Sequence, residues 1–133
     1  MLDALIEMRR VTHQNGRLVI VVGRESTVRG VRFQNGRIIA ALAMGGANLN
    51  LCLRQERKFK NKFGELIYED ILHFVPDKLS LSSPENFARL LAEIVLSEAL
   101  KQDLDSQQSA DIVAAIEQTP LVRSSPYFTI SQS

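Results

Sequence analysis

The stretch FQNGRIIAALAMGG, residues 33–46, decides how this chain folds. It contains the second of two Gln-Asn-Gly-Arg copies; the first spans Gln14 to Arg17, the second Gln34 to Arg37, and each leads into an apolar run. Asn-Gly between two strand-like runs favours a type I′ turn, because both central residues of that turn need positive φ. On this reading Asn35-Gly36 folds the strand TVRGVRF (residues 27–33) back onto a third strand, Ile38 to Met44, which Gly45-Gly46 ends. A two-residue turn then sets Phe33 opposite Ile38, Arg32 opposite Ile39 and Val31 opposite Ala40.

Working outward, Leu2, Leu5, Ile6 and Arg9 share one helical face, so residues 2–13 read as a short helix. The first Asn-Gly pair stops it, with Gly16 supplying a left-handed residue just past the end. Leu18 to Val22 is aliphatic and β-branched throughout, the pattern of a central strand buried on both faces. A four-residue loop, Gly23 to Ser26, would join it to the next strand and bring Arg17 opposite Arg32, with Arg37 nearby. Like charges set opposite each other destabilise a sheet, so this cluster calls for an anion, an acidic partner or a different register.

Ala47 to Phe59 reads as a helix with Leu49, Cys52 and Leu53 inward, and Cys52 as a buried thiol. Its end and the following loop carry Arg54, Arg57, Lys58, Lys60 and Lys62, interleaved with Phe59 and Phe63. That run is either a phosphate-contacting patch or a solvated helix end whose cations complement the helix dipole. Residues 64–75 fit a strand pair and a helix about equally, with at least one strand favoured. Ser83-Pro84-Glu85 announces a helix to about residue 100, with Ser83 as N-cap and Pro84 in the first turn, and a second helix follows over 106–118. The fold expected is α+β: a small antiparallel meander sheet flanked by an N-terminal helix and C-terminal helices. It forms one domain over 1–119, with a sheet-containing core at 1–75, a helical segment at 84–118, and a Pro- and Ser-broken tail at 120–133.

Composition narrows the function classes. The chain has 133 residues, 45% of them hydrophobic, enough for a real core. Its apolar runs fall far short of the roughly 20 residues a membrane-spanning helix needs, and its acidic start, MLDALIEMRR, is the reverse of a secretory signal. A cytoplasmic protein is the expectation. One cysteine excludes an internal disulfide, and His13 and His73 have no liganding neighbour in sequence, so no metal or other cofactor is expected. No nucleophile, base and stabiliser can be grouped, and the adjacent carboxylates Glu69 and Asp70 point apart on a strand, so the chain reads as non-enzymatic. Net charge is +1, yet residues 1–62 carry twelve basic against four acidic side chains and residues 63–133 four against eleven, a split of +8 and −7. That asymmetry points to self-complementarity, within one chain or between two, or to an anion-seeking basic half.

The order of a Gly-ended helix, then Gly16, Leu18 and Ile20, then Phe33, Asn35, Gly36, Arg37, Ile38 and Ala41, then Gly45-Gly46, resembles the PatA-like N-terminal domain of bacterial signalling proteins over residues 2–60. The resemblance implies a non-catalytic scaffold or protein-binding module in bacterial signalling or surface motility, with a protein partner; the opposite charge of the two halves adds homo-oligomerisation as an expectation. The alternative is an RNA or phosphorylated small ligand held by Arg17, Arg32, Arg37, Arg54, Arg57, Lys58, Lys60 and Lys62.

Overall fold

The computed structural model describes residues 1–78 and 83–123. Along the chain run α1 (Leu2–Val11), β1 (Leu18–Gly23), β2 (Glu25–Val28), β3 (Val31–Gln34), α2 (Asn35–Gly46), β4 (Leu49–Lys60), β5 (Leu66–Pro76), α3 (Pro84–Ala99), α4 (Ser106–Gln118) and a 3-10 turn at Thr119–Leu121. The class is α+β, as expected from the sequence. The sheet is not a meander, however: β1, β5 and β4 pair antiparallel in that order, and β2 and β3 form a separate two-stranded ribbon. β1 is therefore an edge strand whose residues alternate half-buried and exposed, not a central strand buried on both faces.

Asn35-Gly36 does not fold a hairpin; it opens α2. Buried Gly36, Ala40, Ala43 and Ala47 recur at spacings of four, three and four, one face of a helix, and alanine is the strongest helix former. Ile38 to Met44 had looked like a strand because a short apolar run bounded by glycines has no periodicity that separates it from a buried helix. Gly45 and Gly46 lie in the last turn because neighbours fill the space of a side chain: a Cβ on Gly45 would stand 1.9 Å from the Phe87 ring, and one on Gly46 2.7 Å from Leu2.

The type I′ geometry occurs instead at Arg29 (φ 51°) and Gly30 (φ 81°), inside what had read as a continuous strand over 27–33. It pairs Val28 with Val31, Thr27 with Arg32 and Ser26 with Phe33, so the registers expected from Asn35-Gly36 and from the Gly23 to Ser26 loop are both replaced. Gln108 on α4 donates to the Arg29 carbonyl at 2.9 Å and holds the turn.

Residues 49–60 form strand β4, not a helix. The helix-forming charges of RQERK favoured the wrong state; pairing along the full length of β5 overrides that propensity. A bulge at Cys52 shifts the register between Leu51 and Leu53, and it leaves the thiol exposed, 3.3 Å from the His73 carbonyl, contrary to the buried thiol expected. Asn61 closes the hairpin by accepting from the backbone N–H of Phe63 (2.9 Å) and Glu65 (3.0 Å), with Gly64 at φ 78°. Residues 64–75 thus resolve as one long strand, β5.

α1 ends at Val11 with an extended Thr12, and Gly16 is not in the left-handed region; its lack of a side chain matters because a Cβ would sit 2.9 Å from the His13 carbonyl. α3 begins at Pro84 as expected, but Ser83 makes no side-chain cap, whereas Asp105 and Gln108 form a full capping box on α4. Of the tail expected over 120–133, residues 124–133 lie outside the described residues.

Two apolar clusters follow. Leu5, Ala40, Leu42, Ala43, Ala47, Leu49, Leu72 and Phe74 form the larger, with Leu18, Ile20 and Val22 of β1 packed on it. Val31, Ala99 and Ile112 form the smaller, where the β2–β3 ribbon meets α3 and α4. Gly36 abuts Asp70 of β5: a Cβ there would lie 2.0 Å from Oδ2. Gly36→Ala, a change that raises intrinsic helix propensity, is therefore expected to destabilise the protein by about 1–3 kcal/mol in urea unfolding; unchanged or increased stability would remove this contact from the account.

Candidate functional site

Side chains on β5 alternate between two faces of the sheet. Tyr68, Asp70, Leu72 and Phe74 point to the helices; Ile67, Glu69, Ile71, His73 and Val75 point away. Pairing places Val19 and Val21 of β1, and Leu53, Gln55, Arg57 and Phe59 of β4, on the outward face as well. Val19 is 48% exposed, Val21 55% and Leu53 43%, and neither apolar cluster includes a residue of this face. Its polar groups pair with one another across the strands. Arg57 Nε lies 2.9 Å from Glu69, directly opposite, and His73 Nε2 lies 2.8 Å from Gln55 Oε1. The result is a three-stranded, apolar, electrically balanced surface.

The inward face carries a charged cluster at the edge of the core. Asp70 is 1% exposed, although aspartate is rarely buried without a partner. Glu56 faces it across the β4–β5 pair, a like-charge juxtaposition that two arginines neutralise. Arg54 donates to Asp70 Oδ1 at 2.9 Å. Arg24, just past β1, pairs with Glu56 and reaches within 3.6 Å of the same Oδ1. Contact with Glu56, above all, holds the Arg24 guanidinium above its ordinary pKa, so it stays charged, and its central carbon lies over the Tyr68 ring, 5.0 Å from the ring centre. Sequence reading passed over Arg24, Glu56 and this role of Asp70. The signal was available: Asp70 falls in phase with Tyr68, Leu72 and Phe74, so any strand there buries a carboxylate.

The eight basic residues singled out in the sequence do not converge. Arg54 and Arg57 are tied to Asp70 and Glu69. Lys58 and Lys60 lie on the inward side of the β4–β5 arm, beyond the part of β5 that β1 pairs, and Lys62 sits in the hairpin loop over the Phe63 ring. Arg32 and Arg37 share the mouth of a trough between α2 and α3, while Arg17 precedes β1 and lines neither that trough nor the cluster. The charge asymmetry is resolved in part within the chain: β5 of the acidic half lies between two strands of the basic half, where Arg24 and Arg54 meet Asp70 and Arg57 meets Glu69, and Arg29 reaches Asp111 on α4 at 3.3 Å.

Among the described residues, no three His, Cys, Asp or Glu side chains group as a metal site would need, and no helix is long and apolar enough to cross a membrane. Compared with models of protein families, with curated proteins and with solved structures, the chain matches none.

Because Arg24 separates Glu56 from Asp70, Arg24→Met and Glu56→Gln should not add. Chemical unfolding of the two single variants and the double variant is expected to give a coupling of about 0.5–3 kcal/mol, the double variant being more stable than the sum of the singles implies; strict additivity would mean that Arg24 acts through packing alone.

Proposed function

We propose that this chain is a non-catalytic scaffold module that works by protein–protein contact, and that the outward face of β1, β5 and β4 is the contact surface, occupied by a second copy of the chain. The open apolar face carries this reading. Soluble monomers seldom leave a contiguous patch of this kind to water. Its charges are already paired within the chain, so a two-fold partner meets no like-charge repulsion, and a polyanion finds no net charge there to bind.

Magnitudes support a dimer of moderate strength. Val19, Val21, Leu53, Phe59, Ile67, Ile71 and Val75 each gain about 1 kcal/mol on losing their remaining exposure, roughly 14 kcal/mol over two copies. Association costs at least about 4 kcal/mol, and the difference, at most about 10 kcal/mol, corresponds to a dissociation constant of roughly 50 nM or weaker. A place in bacterial signalling or surface motility, in the cytoplasm, rests on the sequence resemblance of residues 2–60 alone, and that resemblance takes Asn35-Gly36 as a turn between strands where the fold has the start of α2. The nucleic-acid reading is weaker because Arg54 and Arg57 are engaged by carboxylates, leaving Lys58, Lys60 and Lys62 as the cations of that run.

Sedimentation at micromolar concentration is expected to show a dimer that persists in 1 M salt, since apolar contact is not screened. Val21→Glu with Leu53→Glu should give a monomer with an almost unchanged melting temperature, both side chains being surface positions. A wild-type monomer across all concentrations and salts overturns the proposal.

A further inference from the structure

A second surface has a different chemistry. Between α2 and α3 runs an apolar trough of about 300 Å³, walled by Ile38 and Ala41 on one side and Leu91, Ile94 and Ala99 on the other, with Phe33 of β3 at its end. It continues past Ile38, Leu91 and Val95 into a space of about 490 Å³ over Leu2, Leu42 and Ala92. Together these volumes fall in the range of small-molecule sites, about 300–1,000 Å³. Ile94, halfway along α3, is 50% exposed on this wall.

Charge is concentrated at the mouth of the smaller space. Arg32 and Arg37 both line it, and among the described residues neither guanidinium has a carboxylate partner. The mouth's one carboxylate, Glu98, is taken by Lys101 at 2.9 Å. The rim is also pinned: Gln102, in the turn after α3, accepts from the Arg32 backbone N–H (3.1 Å) and donates to the Arg32 carbonyl (2.7 Å), which ties β3 to the end of the helix. Such a site is organised before its ligand arrives.

We propose that this trough binds an anionic amphiphile, with an alkyl chain lying along Leu91, Ile94 and Val95 and a carboxylate or phosphate head held by Arg32 and Arg37. Two guanidinium forks match either head group, and Leu91, Ile94 and Val95 beyond them offer an alkyl chain apolar contact. A peptide in the same place would have to bury backbone N–H and carbonyl groups against that apolar wall, which is unfavourable.

Calorimetric titration of the full chain with laurate, dodecyl phosphate and dodecanol, each below its aggregation concentration, tests this. Saturable binding of both anions with one site per chain is expected, and their relative affinities identify the preferred head group. Arg32→Gln with Arg37→Gln should weaken both anions at least tenfold and leave dodecanol unaffected. Ala41→Phe, which fills the trough without adding charge, should abolish all three. Circular dichroism confirms that each variant is folded. Absence of saturable anion binding, or affinities indifferent to the two arginines, overturns the proposal. So does binding seen only after the residues beyond Arg123 are removed, which would assign the trough to the chain's own end.

Discussion

A buried carboxylate, that of Asp70, sets the conditions the rest of the structure meets. An unpaired charge in a protein interior costs several kcal/mol, so a strand that carries aspartate in phase with Leu72 and Phe74 folds only if cations are brought to it. Two are. Arg54 comes from β4, which must therefore run beside β5 in the observed register, and Arg24 comes from the residue after β1, which fixes where β1 ends. Glu56 supplies the fourth charge and makes the cluster neutral. The other side of the carboxylate presses on the first turn of α2, where only glycine leaves room. One side chain thus ties β1, β4, β5 and α2 together.

That cluster also decides which face of the sheet is free. With Asp70, Leu72 and Phe74 turned towards the helices, the odd-numbered residues of β5 turn outward, and Val19 and Val21 of β1 and Leu53 and Phe59 of β4 follow by pairing. The open face, and the self-association assigned to it, are the reverse side of the same register. Part of the positive charge gathered in the first half of the sequence, on Arg24, Arg29, Arg54 and Arg57, answers to acids on β5 and α4, so part of the asymmetry describes how the chain holds itself together.

The sequence made some of this legible and hid the rest for physical reasons. Helices α3 and α4 were readable because amphipathic stripes and start signals are local properties. β1 was readable as a strand, but its place at an edge was not, because pairing with β5, some fifty residues on, is not written in either segment alone. The strongest turn signal, Asn35-Gly36, misled because glycine there serves close approach to Asp70 and not positive φ; the hairpins are made by Arg29-Gly30 and by Asn61 with Gly64. β4 was hidden by charged helix formers whose partners, Glu69 and Asp70, lie on another strand. Of the candidate binding residues, Arg32 and Arg37 line one pocket without a carboxylate partner among the described residues, and the Arg24, Glu56 and Asp70 cluster emerged only once the strands were in register.

The central claim, that Asp70 couples the sheet to the start of α2, is most directly tested by residue-resolved amide hydrogen exchange in wild type and Asp70→Asn. The account predicts a joint loss of protection in β4, β5 and the first turn of α2, with α4 unchanged. Loss confined to β4 and β5, with α2 as protected as before, would contradict it.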